Sequence, residues 1–105
     1  MKKMTHIDNN GDIYNLSIFI GKYANGQTAI QLYDMEDGCP YAVASVAIDT
    51  ELSHNEVAIK DYSENEGILQ TLIKNNIVET PHRFTSSGFV KIPICMLNKD
   101  LRRES

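Results

Sequence analysis

The chain has 105 residues, 14 of them acidic and 10 basic, and a net charge of −4 with neutral histidines. That length fits one domain, and roughly a quarter of the residues are Ile, Leu, Val or Phe, which excludes a disordered chain. The charge is too mild for a mimic of the phosphate backbone, and no apolar run approaches the ~20 residues that span a bilayer.

The opening Met1-Lys2-Lys3-Met4-Thr5-His6 has a positive tip that no apolar stretch follows, so it reads as a solvated end rather than an export signal. Residues 12–23 alternate. Tyr14, Leu16, Ile18 and Ile20 fall on one face, Asn15 and Ser17 on the other, the period of a half-buried strand. Asn25-Gly26 predicts a hairpin turn with both positions at positive φ. Residues 27–34 supply the second arm, with Thr28, Ile30 and Leu32 against Gln31 and Tyr33. Met35 to Pro40 is a turn punctuated by Gly38 and Pro40. Residues 41–48 are apolar or small on both faces and predict a central strand, in which Ala42 and Ala44 leave room for a helix.

A polar connection over 49–55 leads to renewed alternation at 56–61, with Val57 and Ile59 opposed to Glu56 and Lys60. Ser63-Glu64-Asn65-Glu66 matches the capping box, so the spacing predicts a helix over about 64–75. Ile68, Leu69, Leu72 and Ile73 form its apolar stripe, Gly67 lies inside it, and Asn75-Asn76 supply a left-handed stop. Residues 77–84 predict a short strand that Pro81 assigns to an edge or a bulge. Ser86-Ser87-Gly88 reads as a turn. Residues 89–97 form the last strand, with Val90, Ile92, Ile94 and Met96 facing inward and Pro93 again marking an edge or bulge. The tail from Asn98 is charged. The whole predicts an α+β fold: a mostly antiparallel sheet of five or six strands, a meander of hairpins, with one helix packed on one face. It is expected as a single domain over residues 1–105, its ordered core at about 12–97 and its termini flexible.

His6, His54 and His82 lie in no metal-binding spacing and read as surface histidines. There is no nucleophile elbow and no phosphate-binding glycine loop. Cys39 and Cys95 stand apart, without a C-x-x-C, and read as reduced thiols of a cytoplasmic protein. Cys95 suits a core, and a bond between the two stays open at this stage. Asp34, Glu36 and Asp37 crowd one turn, and Asp8-Asn9-Asn10-Gly11-Asp12 has a similar flavour. Calcium wants six to eight oxygens, and Asp, Asn and Gly satisfy turn geometry by themselves, so no metal and no cofactor are expected. Tyr33 and Tyr41 flank the acidic turn, Tyr62 precedes the capping box, and Asp61 is left over beside it. Exposed tyrosine among acids suits a protein-binding patch. The candidate partner-binding residues are therefore Tyr33, Asp34, Glu36, Asp37, Tyr41, Asp61 and Tyr62.

The stretch from Asn55 to Gly67, together with Leu32-Tyr33-Asp34, Glu36-Asp37-Gly38, Pro40-Tyr41-Ala42, Ser87-Gly88-Phe89 and Ile92-Pro93-Ile94-Cys95, resembles a family of small uncharacterised bacterial proteins, a domain of unknown function. The resemblance covers roughly residues 28–97. It implies cargo of conjugative transposons and phages, that is, a mobile-element accessory protein of a bacterial cytoplasm, and from that context an anti-defence role. It carries no catalytic residues to transfer.

Three readings follow. The favoured one is a small non-enzymatic interaction module whose partner is a protein, either a second copy joined through a sheet edge or a host defence protein. The second is a nucleic-acid-associated accessory protein using the terminal bases Lys2, Lys3, Lys99, Arg102 and Arg103, disfavoured because the body lacks a basic stripe. The third is a small enzyme with a site assembled from Asp61, His54 and a tyrosine. No membrane partner is expected.

Overall fold

The computed structural model describes residues 2–102. Lys2–Ile7 (β1), Ile13–Lys22 (β2), Thr28–Asp34 (β3) and Pro40–Val43 (β4) pair antiparallel in sequence order as a four-stranded sheet. Glu56–Ala58 (β5), Arg83–Ser87 (β6) and Val90–Met96 (β7) form a second antiparallel sheet in the order β5-β7-β6. The α+β class with antiparallel pairing is as expected. The strand count is not: the described residues hold seven strands in two sheets instead of five or six in one.

The cause lies in residues 44–46. Ala44 still donates its N–H to Ile30 on β3, but its carbonyl accepts from Lys60, and Val46 donates to Ala58. Ser45 bridges Ile59. The segment read as one central strand is thus shared between two sheets. Its turning point begins one step earlier, at an irregularity in the β3–β4 register between Leu32 and Tyr33, as bulges do.

Lys2–Ile7, expected as a loose end, is strand β1. Met4 and His6 point inward and are buried, while Lys3, Thr5 and Ile7 lie on the outer face. Two inward residues make too short a pattern to stand out from a polar terminus. The β2–β3 connection departs from the expected turn as well. Gly26 is at φ 87° and Asn25 is not at positive φ; Gly26 donates to Tyr23, and Tyr23 to Gln27. This is the three-residue loop, a type I turn closed by a left-handed glycine.

The core gathers Leu16, Ile18, Ile30 and Leu32 from the first sheet with Val57, Ile59, Cys95 and Leu97 from the second side. Ile68–Lys74 (α1) closes it with Ile68, Leu69 and Leu72. The helix is shorter than expected because the capping box does not form. Ser63–Asn65 is a 3₁₀ turn in which Ser63 sits at φ 55° and makes no side-chain cap bond. Gly67 is not inside the helix but at its N-cap, at φ 93°. Asp61 does the capping: its Oδ1 accepts from the N–H groups of Gly67 and Leu69, both at 3.0 Å. The expected stop at Asn75-Asn76 holds. Asn76 is at φ 59°, Asn76 donates to Ile73 and Ile77 to Leu72, which is the Schellman arrangement with a buried Ile77 behind it.

Residues 77–82 run beside β7 without forming a regular strand: Val78 bridges Leu97, Glu79 donates to Met96 and His82 to Ile94. The strand proper, β6, starts at Arg83 and includes Ser86 and Ser87, so the turn falls at Gly88-Phe89. Pro93 occupies the central strand β7, not an edge. Its carbonyl accepts from Ile59, just past the last β5–β7 pair Ala58–Ile94, so its missing N–H faces a place where that ladder has already ended. Both faces of β7 are buried from Ile92 to Cys95, so the inward set is wider than Val90, Ile92, Ile94 and Met96. The tail carries a short helix, Lys99–Arg102 (α2). Arg103, the last of the terminal bases, lies outside the described residues.

Candidate functional site

The two-residue period of β1–β3 leaves one side of the four-stranded sheet to solvent, because α1 and the second sheet gather on the other side. By register this outer face carries Lys3, Thr5 and Ile7 on β1 and Ile13, Asn15, Ser17, Phe19 and Gly21 on β2. Ala29, Gln31 and Tyr33 on β3 and Val43 on β4 complete it. Only Lys3 is charged, in a chain with 23% charged residues. A solvated sheet face normally alternates into polar and charged side chains. Here Phe19 and Tyr33 meet edge to face across the ladder, ring centroids 5.1 Å apart at 82°. Seven large hydrophobic side chains are exposed among the described residues. Five of them, Ile7, Ile13, Phe19, Met35 and Val43, belong to this side, and the other two, Phe84 and Phe89, to the β6–β7 hairpin.

The acidic turn closes one end of this face. Asp34 Oδ1 accepts from the Glu36 N–H and Asp37 Oδ1 from the Cys39 N–H, both at 2.9 Å, so two of the three carboxylates build the turn. Gly38, at φ 74°, donates back to Asp34. Glu36 projects outward instead. With Lys3, Met4, Thr5, Asn15 and Met35 it lines a groove of about 340 Å³ with mostly apolar walls. Met35 is placed there because its N–H continues the β2–β3 ladder onto the Asn15 carbonyl.

The seven candidate residues are not brought together. Tyr33 and Glu36 share the outer face with its groove. Asp34 and Asp37 are held by the turn beside it. Tyr41 lies on the opposite, inner side, where it packs on Tyr14 at 4.8 Å and on His6 at 6.0 Å. Burial raises the pKa of both Tyr14 and Tyr41 above the ordinary phenol value. Asp61 is engaged with α1. Tyr62 lies under Lys60, whose Nζ is 5.8 Å from its ring, and lines a separate groove with Thr50, Thr85, Ser86 and Ser87. Lys60 does not pair with Asp61 but with Glu64, at 2.6 Å.

Histidines are more engaged than the sequence suggests. His6 is buried, and its Nδ1 stands 2.8 Å from Thr71 Oγ1 on α1; burial lowers its pKa. His82 Nε2 stands 2.5 Å from Glu56 Oε2. Glu56 centres a further cluster that alternation does not reveal. Alternation assigned it to solvent, yet it is buried, accepting from Arg83 Nε at 3.1 Å, Arg83 Nη2 at 2.9 Å and the Ser53 N–H at 2.8 Å. The Arg83 hydrogen bonds, helped by those of Ser53 and His82 against the opposing effect of burial, hold its pKa down to about 2. The pairing joins residues 26 and 27 apart, from β5 to the start of β6, which are not neighbours in their sheet, and no local signal announces it. Chemically it is a clip: Arg83 also donates to the Glu51 carbonyl, fixing the 51–53 loop to β6.

His54 lines a groove with residues 25–27 and 48–53 beside the β2–β3 loop, and Asp61 serves α1, so the set drawn for an enzyme is distributed over separate places. Among the described residues no group of three or more His, Cys, Asp or Glu side chains is arranged to hold a metal ion. Both cysteines are free thiols, Cys39 exposed and Cys95 buried. Of the terminal bases, Lys2 and Lys3 belong to β1, and Arg102 donates to the Leu97 carbonyl and to Glu79. No helix among the described residues is long and apolar enough to cross a membrane.

Comparison of the chain with protein-family models, with curated proteins and with solved structures returns no match.

Proposed function

We propose that the protein is a small non-enzymatic interaction module that binds a protein partner through the outer face of β1–β4 and the groove beside its acidic turn. The observation that carries the reading is the concentration of exposed Ile7, Ile13, Phe19, Met35 and Val43 on a face whose strands carry one charge, Lys3, with Glu36 beside it in the turn. Singly scattered exposed apolar residues are ordinary; several gathered on one sheet face mark a contact surface. Tyr33 and Phe19 supply aromatic anchors, and Lys3 and Glu36 a polar rim, the composition that protein interfaces favour. A mobile-element accessory role in a bacterial cytoplasm, with a host defence protein as target, belongs to this same proposal and is supported by the sequence resemblance alone.

Affinity capture from a bacterial host, with wild type and Phe19→Lys side by side, tests it. Phe19 is half exposed and contributes little to the core, so Phe19→Lys keeps the fold, checked by circular dichroism. A prey held by wild type and lost from Phe19→Lys is the expected result. Identical prey from both proteins, or none from either, refutes the reading.

A further inference from the structure

The two exposed aromatics outside the proposed surface sit together on the β6–β7 hairpin. Ser87 pairs with Val90, leaving a two-residue loop, and Gly88 at φ 62° takes the first loop position as a type II′ turn requires. The second position needs no particular side chain, yet it holds Phe89, whose relative exposure is 109%. The ring therefore adds nothing to the turn or to the core. Phe84 lies on the same hairpin with Lys91 Nζ 4.6 Å from its ring centre. From residue 80 to residue 98 there is no Asp or Glu, whereas the chain as a whole carries −4. Arg83 on this hairpin is paired with Glu56, so the finger presents one cation, Lys91, behind an aromatic tip.

Its complement is present elsewhere on the same molecule. The groove beside the acidic turn has mostly apolar walls, offers the thioether of Met35 to an aromatic ring and carries one charge of each sign, Glu36 and Lys3, on its rim. Its volume of about 340 Å³ lies at the low end for binding pockets, suited to one side chain rather than to a large ligand. Hairpin and groove cannot meet within one chain. The groove is at the Asn15 end of β2. Ser86 and Ser87, next to the tip, line a groove with residues 46–50, which Gln27 holds at the other end of β2 by hydrogen bonds to Ile48 and Thr50.

We propose that the occupant of the groove is a second copy of this chain: the β6–β7 hairpin of one molecule lays Phe89 against Met35 in the groove of the next, with Lys91 facing Glu36. The inference rests on the reading of the outer face as a contact surface and names its partner. The contact is head to tail, so each molecule offers one tip and one groove, and association continues beyond a dimer unless it closes into a ring. It is small, hence weak, and is relieved by salt because one part is an exposed ion pair.

Sedimentation of the full chain tests it with wild type, Phe89→Ser and Met35→Lys, both substitutions being at exposed positions. Wild type is expected to rise in average mass with concentration, and each variant to stay a monomer. An equimolar mixture of the two variants retains one intact tip and one intact groove, so it is expected to form a 1:1 pair and nothing larger. A wild type that stays monomeric up to about 1 mM overturns the inference. So does association that both variants preserve, which points to pairing through a strand edge. If wild type is monomeric while Phe19→Lys still loses a captured prey, the interaction reading stands with a different occupant; if that prey is also missing, both fall.

Discussion

Glu56 provides the most direct test of how this fold is held. Replacing it by Gln keeps the side chain's shape and removes its charge, so Arg83 and His82 face a neutral amide across the same distances. The carboxylate's pKa stands near 2 in the folded chain against an ordinary 4.5. At about 1.4 kcal/mol per pH unit, that difference corresponds to roughly 3 kcal/mol of stability. Arg83 and His82 reach Glu56 from side-chain exposures of 41% and 38%, so solvent screening reduces the contribution to about 1–2 kcal/mol. The folded value is the lower one, so the native state binds fewer protons there than the unfolded state. The contribution is complete above the ordinary value of 4.5 and fades as pH falls from there toward 2. Urea denaturation of wild type and Glu56→Gln at several pH values reads it. At neutral pH the variant is expected to be less stable by about 1–2 kcal/mol, a fall in Tm on the order of 5–10 °C. Toward pH 2–3 the two curves are expected to converge, since every other carboxylate titrates equally in both proteins. Curves that stay parallel across the whole range refute the reasoning.

The helix caps, the glycine and the thiols can be tested in the same way. Asp61→Ala removes the acceptor for Gly67 and Leu69 and is expected to cost about 1 kcal/mol in equilibrium unfolding, whereas Ser63→Ala, which deletes only an unused hydroxyl, leaves stability unchanged within about 0.5 kcal/mol. Gly67→Ala is expected to destabilise by about 1 kcal/mol through φ 93° alone, because the new Cβ meets nothing closer than Asn9 Oδ1 at 3.9 Å. Native protein should react with one equivalent of a thiol reagent, at the exposed Cys39, and unfolded protein with two. Cys95 is buried and its pKa is pushed up to about 12 by that burial, so equal rates at both sites would contradict the packing around β7.

The candidate site was only half legible. Tyr33 and the acidic turn could be found because Gly38 and Pro40 punctuate the sequence and because alternation assigns Tyr33 to the polar side of its strand. Tyr41 was misread as its neighbour on one patch because the register shifts between Leu32 and Tyr33, and one extra residue sends the following side chain to the other face. Asp61 looked unoccupied because its partners, Gly67 and Leu69, are six and eight residues away, beyond the span of a standard capping box. Phe89 was hidden inside an assumed strand, since apolar character in sequence carries no sign of whether a core receives it.

What the sequence determined by itself is local and periodic. The alternation of Tyr14 to Ile20, the Asn25-Gly26 reversal, the apolar stripe of Ile68, Leu69, Leu72 and Ile73 and the Asn76 stop all depend on neighbours within a few residues, and all are present in the fold. Tertiary structure decided the rest. Whether residues 41–48 serve one sheet or two depends on Ala58 and Lys60 competing for their backbone groups, and whether Glu56 faces water depends on Arg83, 27 residues later. Hydrogen bonds and burial act between any groups that the chain's path brings together, and separation along the chain carries no record of that path.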